Sequence, residues 1–208
     1  MTTALREELC RIGHSLYARG LTFGSSGNIS VRRPEGGWIV TPTNVAMGDL
    51  DPGQLSILDE NGNWIEGPKP TKETFLHTAM YGARRDAGAV VHLHSTHSVA
   101  VSVLEDIDPA DVLPAITAYY VMKVGALRLI PYFRPGDPAL GSTVAGFAAK
   151  HHALLLANHG PVVAGADLRS AQYATEELEE TAKLFLLLQG HKIRPLTPAQ
   201  AEALKTRP

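Results

Sequence analysis

The sequence predicts one α/β domain of three layers, in which helices cover both faces of a central, mostly antiparallel mixed sheet. The first third of the chain has the pattern of a β-meander, with a hairpin signal at Asn61-Gly62. Short apolar runs typical of buried strands then alternate with longer stretches of helical periodicity. Neither an internal repeat nor a low-complexity linker divides the 208 residues. We therefore expect a single domain over residues 1–208, with the tail after about 195 as a surface appendage.

The first half of the chain supplies one helix and the meander. Apolar residues at helical spacing from Leu5 to Leu16, followed by Arg19-Gly20, predict a helix that ends at the glycine. The loop at 21–28 is rich in Gly and Ser, and it is either an anion-binding nest of backbone N–H groups or a plain tight turn. The alternating patterns predict strands at 29–31, 38–40, 55–58 and 64–65.

Helices and buried strands alternate in the second half. Two prolines hold residues 67–70 extended before a helix from about Thr71 or Lys72 to Arg84, with Thr71 as its cap and Glu73 in its first turn. Periodicity leaves the segment 113–125 open between helix and strand. Further strands are predicted from residue 90 and at 127–130, 153–157 and 161–164, and further helices at 98–104, 137–150 and 167–189.

Composition indicates a small-molecule partner and a cytoplasmic protein. The net charge of -2 gives no sign of a basic surface for nucleic acid or for an anionic membrane. Cys10 is the single cysteine, so no internal disulfide can form and a reducing compartment is expected. Charged residues at 6–8 interrupt the position where a signal peptide needs an apolar core, and no apolar run approaches a membrane span of about 20 residues.

A small set of histidines stands out as candidate metal ligands. His92 and His94 lie two residues apart in an apolar strand, so both side chains point to the same face and can bind a divalent metal. His159 interrupts another buried strand and could complete a three-histidine site with open positions, as in catalytic zinc sites. Glu73 could bind the metal or act as a base beside it. His97 is expected at the rim of this site.

The other histidines lie in helices or at helix ends, where surface or hydrogen-bonding roles are the ordinary expectation. These residues are His14, His77, His151, His152 and His191.

Five short motifs, in this order and at these distances, resemble the class II aldolase/adducin family, which includes fuculose-phosphate aldolase and ribulose-phosphate 4-epimerase. The resemblance extends from the first helix to about Gly190. The motifs are Gly27-Asn28, Thr41-Pro42-Thr43, Pro70-Thr71-Lys72-Glu73, His92-Leu93-His94 and Asn158-His159-Gly160.

This resemblance implies a Zn²⁺ site and a homotetramer with its sites at subunit interfaces. It implies that Glu73 is the acid/base that also approaches the metal, and that Tyr119 occupies the position of a catalytic tyrosine, in its own or a neighbouring subunit's site. The implied metal ligands are His92, His94, His159 and Glu73, and the implied phosphate-loop residues are Gly27, Asn28, Thr43, Thr71 and Lys72.

Within the family, the segments 69–73, 91–96, 131–137 and 178–183 are most similar to 3-oxo-tetronate 4-phosphate decarboxylases. The aldolases usually carry a small residue where this chain has Lys72, which adds a cation where a phosphate or carboxylate would bind. Arg134 is a candidate for the substrate carboxylate, or equally a structural partner of Asp137.

The expected activity is therefore zinc-dependent decarboxylation of a phosphorylated sugar acid, 3-oxo-tetronate 4-phosphate, to dihydroxyacetone phosphate and CO2. The alternatives are a sugar-phosphate aldolase of the fuculose or ribulose type and a ribulose-phosphate 4-epimerase. A non-catalytic, adducin-like module should have lost the metal ligands and Glu73, all of which are present.

Overall fold

The apolar segments pair into one eight-stranded sheet in the computed structural model, which describes residues 2–134 and 136–205. The strands are β1 (Asn28–Arg32), β2 (Trp38–Val40), β3 (Ser56–Leu58), β4 (Trp64–Glu66), β5 (Ala89–His92), β6 (Arg128–Ile130), β7 (Ala153–Leu156) and β8 (Gly160–Gly165). Their order across the sheet is β4-β3-β2-β1-β5-β8-β7-β6. Neighbouring strands are antiparallel except β6 and β7, which are parallel, so the predicted mixed, mostly antiparallel sheet is confirmed.

Helices cover both faces of this sheet. They are α1 (Thr2–Ala18), α2 (Thr74–Ala83), α3 (Thr96–Ser102), α4 (Ala118–Lys123), α5 (Pro138–Ala148), α6 (Leu168–Leu187) and α7 (Pro198–Lys205). Side chains alternate along β5, so Val90 packs with α2 and α5 while Val91 packs with α1 on the opposite face. On that second face α4 and α6 cover β7 and β8. The predicted three-layer arrangement is confirmed.

The start of α2 differs from the prediction. The helix begins at Thr74 rather than at Thr71 or Lys72, and residues 72 and 73 form a turn that precedes it. The Glu73 N–H donates to Thr71 Oγ1 at 3.3 Å, so Thr71 stabilises this turn. Glu73 is therefore the residue that precedes the helix, not a member of its first turn. Its carboxylate still lies at the positive end of the α2 dipole, where negative charge is favourable.

Two further segments form helices that the sequence pattern did not predict. Within residues 113–125, α4 forms with Thr117 as its cap, since Thr117 Oγ1 accepts the Tyr120 N–H at 3.0 Å. The tail forms α7, and Leu196 and Leu204 pack against the apolar cluster under α4 and α6. None of the helices in the described chain is both long and apolar enough to cross a membrane.

Strand register brings three loops to one end of the sheet. Asn28, at the start of β1, lies opposite His92 at the end of β5, and His92 lies opposite Val162 of β8. Gly160 allows β8 to begin close to β5, because a Cβ on this residue would lie 2.2 Å from the carbonyl oxygen of Leu93. That distance is far below van der Waals contact, so only glycine fits here.

We predict that Gly160→Ala destabilises the protein by about 1–3 kcal/mol, because the new methyl group must push two backbone segments apart. Gly146→Ala is the matched control, since a Cβ there meets nothing within 4 Å and alanine favours the helix α5. Urea denaturation measures both changes. Equal stability of the two variants would contradict the close approach of Gly160 to Leu93.

Candidate metal centre

Three imidazole rings meet where β5 ends and β8 begins. The Nε2 atom of His92 lies 3.2 Å from that of His94 and 3.3 Å from that of His159, and the last two are 3.0 Å apart. Glu73 completes the group, with Oε1 3.1 Å from His159 Nε2 and Oε2 3.4 Å from His92 Nε2. The structure thus brings together all four residues that the sequence suggested as metal ligands.

This donor set fits a divalent metal ion. Four ligands at 2.0–2.1 Å from a tetrahedral ion lie roughly 3.3 Å from one another, close to the separations observed here. His92 Nδ1 lies 2.8 Å from the carbonyl oxygen of Pro161 and must donate to it, so the His92 Nε2 lone pair faces the cluster. Converging nitrogen lone pairs and a carboxylate repel one another unless a cation lies between them.

Burial favours the neutral form of two of these histidines. It lowers the pKa of His92 to about 4, against the opposing influence of Glu73. Burial and the neighbouring His159 also lower the pKa of His94. A metal ion at neutral pH would therefore displace no proton from the Nε2 atom of His92.

Glu73 is held as a carboxylate beside them. Burial by itself would raise its pKa, but the interactions with His92 and His159 and a hydrogen bond from Asn28 lower the pKa below its ordinary value. The Asn28 Nδ2 group donates to Glu73 Oε2 at 2.7 Å. A carboxylate fixed in this way can act as a ligand or as a proton acceptor.

The cluster opens into a cavity of about 880 Å³. Its wall includes both small polar loops that the sequence singled out and the turn before α2. Phe23 and Tyr132 are exposed at its lining, with 59% and 62% of their surface accessible. The predicted site residues that line it are Gly27, Asn28, Thr43, Thr71, Lys72, Glu73, His94 and His159.

The polar residues of this cavity differ in whether their side chains already bind other residues of the chain. Asn28 is buried, and its carboxamide bonds both Glu73 and His77. Lys72 is exposed and forms no ion pair within the described ranges 2–134 and 136–205. An unpaired cation at a cavity wall can bind an anionic group of a substrate.

Tyr119 and Arg134 lie outside this lining. Tyr119 is 63% exposed and lines a different cavity of the same chain, together with His97. Arg134 is exposed and pairs with no carboxylate of the described chain, since Asp137 instead caps α5 by accepting the Ala139 N–H at 2.9 Å. The catalytic role of Tyr119 and the carboxylate-binding role of Arg134 remain predictions. The adjacent Pro135 lies outside the described residues.

His97 does not join the cluster, as expected. It lies on the first turn of α3, and its Nδ1 atom is 2.8 Å from Glu179 Oε1. Glu179 also accepts the backbone N–H groups of His97 and Ser98 at 2.8 and 2.9 Å. This carboxylate of α6 therefore holds the segment that directly follows His94.

Sequence reasoning missed His77 as part of the site. It was expected to be an ordinary helix residue, yet it is fully buried and its Nε2 atom lies 2.6 Å from Asn28 Oδ1. The sequence did offer one indication: His77 lies four residues after Glu73, and residues at this spacing lie on the same side of a helical segment.

Comparison with known proteins gives consistent results. Residues 7–186 match the family described as the class II aldolase and adducin N-terminal domain. A 3-oxo-tetronate 4-phosphate decarboxylase of Cupriavidus necator is 51% identical over 185 residues, which cover 89% of this chain and 85% of the relative. An L-fuculose phosphate aldolase of Methanococcus maripaludis is 35% identical over 186 residues, which cover 89% and 96%. The crystal structure of Escherichia coli YgbL, described as a candidate aldolase, epimerase or decarboxylase, superposes with a TM-score of 0.97 at 44% identity and covers 99% of both chains.

We predict that His94→Ala loses tightly bound divalent metal, because it removes one of three converging nitrogen donors. His97→Ala is the matched control: it removes an imidazole three residues away that takes no part in the cluster. Metal content after dialysis, measured by mass spectrometry, distinguishes the two. Retention of a full equivalent of metal by His94→Ala would remove His94 from the ligand set.

Proposed function

We propose a function for this chain from the premise that it belongs to the class II aldolase and adducin family. It decarboxylates 3-oxo-tetronate 4-phosphate to dihydroxyacetone phosphate and CO2. The observation that carries the proposal is the single cavity in which the His92, His94, His159 and Glu73 group adjoins the polar loops and the unpaired Lys72. The higher identity to a decarboxylase, 51% against 35% for an aldolase, favours carbon dioxide as the leaving group.

The reaction has one difficult step. When the bond between C1 and C2 of the 3-oxo acid breaks, its electron pair moves into the C2–C3 bond and negative charge develops on the oxygen of the C3 ketone. A divalent metal ion held by the four residues would supply the positive charge that stabilises this oxygen. A proton must then be delivered to C2 to give dihydroxyacetone phosphate.

We assign the delivery of this proton to Glu73. Its carboxylate lies in the wall of the cavity and is oriented by Asn28, so it can take up a proton from solvent and pass it to C2, which returns Glu73 to the carboxylate form. Tyr119 is the alternative donor. The same electron pair appears when an aldolase cleaves a ketose 1-phosphate, so the two reactions differ in the leaving group only.

The anionic ends of the substrate are assigned to the loops. Gly27, Asn28 and Thr43 approach the cavity from the two small polar loops, and Thr71 and Lys72 approach it from the turn before α2. Backbone N–H groups at such turns and at a helix start favour a phosphate. Arg134, which follows two residues of the cavity wall, is proposed as a further contact for the substrate carboxylate.

Zinc is the metal that we propose, with one ion per subunit. Three imidazole nitrogens and one carboxylate oxygen form a donor set that zinc prefers, and their spacing of 3.0–3.4 Å fits ligands of one ion. Another divalent ion with nitrogen and oxygen ligands could also bind here.

The working form that we propose is a homotetramer in the cytoplasm. The family resemblance implies the tetramer, and the exposure of Tyr119 outside the cavity of its own chain supports a role in the site of a neighbouring subunit. The cytoplasm is supported by Cys10, which is the single cysteine of the chain and is buried as a free thiol. The net charge of -2 favours a small-molecule partner over nucleic acid or a membrane.

The test is to supply the zinc-loaded protein with 3-oxo-tetronate 4-phosphate and, separately, with fuculose 1-phosphate. We expect CO2 and dihydroxyacetone phosphate in equal amounts from the first compound, above the spontaneous rate without protein, and no dihydroxyacetone phosphate from the second. The His94→Ala protein is the control for metal dependence. Dihydroxyacetone phosphate formed from the ketose alone, without CO2, would identify an aldolase instead.

Lys72 is expected to select the acidic substrate. Lys72→Met should lower kcat/KM for the 3-oxo acid by about 10- to 100-fold, because it removes one charge-assisted hydrogen bond worth about 1.5–3 kcal/mol. Lys69→Met is the matched control, since it removes the same charge from an exposed residue that lines a different cavity. Equal kcat/KM values for the two variants would show that Lys72 makes no contact with the substrate.

A further inference from the structure

We propose that His77 is a positioning residue that fixes the orientation of the Asn28 carboxamide and, through it, the carboxylate of Glu73. The inference rests on the proposed function only in assigning a proton to Glu73. Its geometry stands independently of any substrate. His77 is completely buried in α2 and is not part of the cavity lining.

A continuous chain of hydrogen bonds leads from the core to Glu73. Asn28 Nδ2 lies 2.7 Å from Glu73 Oε2, and Asn28 Oδ1 lies 2.6 Å from His77 Nε2. On its other side His77 Nδ1 lies 2.6 Å from Ser30 Oγ, which is 2.9 Å from the hydroxyl oxygen of Tyr81. Each of these polar groups lies at the face of the sheet that α2 covers.

The bond between Asn28 and Glu73 determines which group donates in each of the other hydrogen bonds of this chain. Glu73 is a carboxylate and can only accept, so the NH2 group of Asn28 must face it. The Asn28 oxygen then faces His77, whose Nε2 atom must carry the hydrogen. A neutral imidazole has one N–H, so Nδ1 accepts from the Ser30 hydroxyl, and Ser30 in turn accepts from Tyr81. All four donors therefore point towards Glu73.

This one-way arrangement determines which end of Asn28 meets the carboxylate. A carboxamide is nearly symmetric in shape, and turning it over would place its oxygen against Glu73 Oε2. The Nε2–H group of His77 opposes that turn, because the reversed carboxamide would present two donors to each other. Burial holds His77 in the neutral form on which the arrangement depends. His77 thereby holds the proton-carrying group in one orientation without touching the substrate.

The variants separate a donor role from a space-filling role. His77→Leu removes the donor, whereas His77→Gln retains an N–H group near the position of Nε2. For the zinc-loaded protein we expect His77→Leu to lower kcat for CO2 release by about tenfold, with metal content and KM within about twofold of the parent protein. His77→Gln should recover most of the loss. His152→Leu is the control for losing a packed histidine, since its ring bonds a backbone carbonyl in a different cavity wall.

The direct measurement uses the metal-free parent protein and no substrate. A long-range 15N–1H spectrum of the histidine side chains should show His77 as the neutral Nε2–H tautomer. The Nδ1–H tautomer would overturn the proposal, as would equal activity losses in His77→Leu and His77→Gln or a normal kcat in His77→Leu. If the parent protein releases no CO2, the proposed function fails, while the tautomer still decides the role of His77.

Discussion

The site depends on the approach of three imidazole nitrogens to within 3.3 Å of one another. Such groups gain nothing from meeting unless a cation lies between them, so the fold must hold them there. Strand register does this, because it sets Asn28 opposite His92 and His92 opposite Val162. A slip of one residue would turn His92 to the other face of the sheet. The apolar layers on both faces, which carry Val90 and Val91 to opposite sides, prevent that slip.

Polar contacts at the strand ends then fix the individual rings. The Pro161 carbonyl accepts from His92 Nδ1, and Asn158 adopts a left-handed conformation with φ of 57° where β7 turns towards His159. On the other side Glu179 of α6 accepts the N–H groups at the start of α3, directly after His94. The His92 ring is therefore held by a hydrogen bond, whereas His159 and His94 are positioned by the backbone of the segments that carry them.

The sequence allowed the fold and the four members of the candidate metal cluster to be predicted, because most of the signals for them are local. Hairpin turns, helical spacing and the His92-Leu93-His94 pair are visible within a few residues. Periodicity alone could not bring His159 to within reach of His92, 67 residues earlier. Its position at the break of a buried strand suggested it as the third ligand, and the family resemblance implied the same role. His77 was missed because its partner Asn28 lies 49 residues away and a helical histidine among apolar neighbours looks ordinary. The start of α2 was placed two to three residues too early, because the sequence does not show that residues 72 and 73 form a separate turn before the helix.

The residues of the site differ in how strongly they depend on one another. Glu73 in the turn before α2 is joined by hydrogen bonds through Asn28 of β1 to the buried His77, so changing one of these residues disturbs the others. Lys72 lies in the turn outside α2, is exposed, and has no charged partner within the described part of the chain. A substitution there changes the charge facing the substrate and leaves the buried network intact. On the function proposed above, the charge that faces the substrate can therefore change while the contacts among Glu73, Asn28 and His77 stay in place.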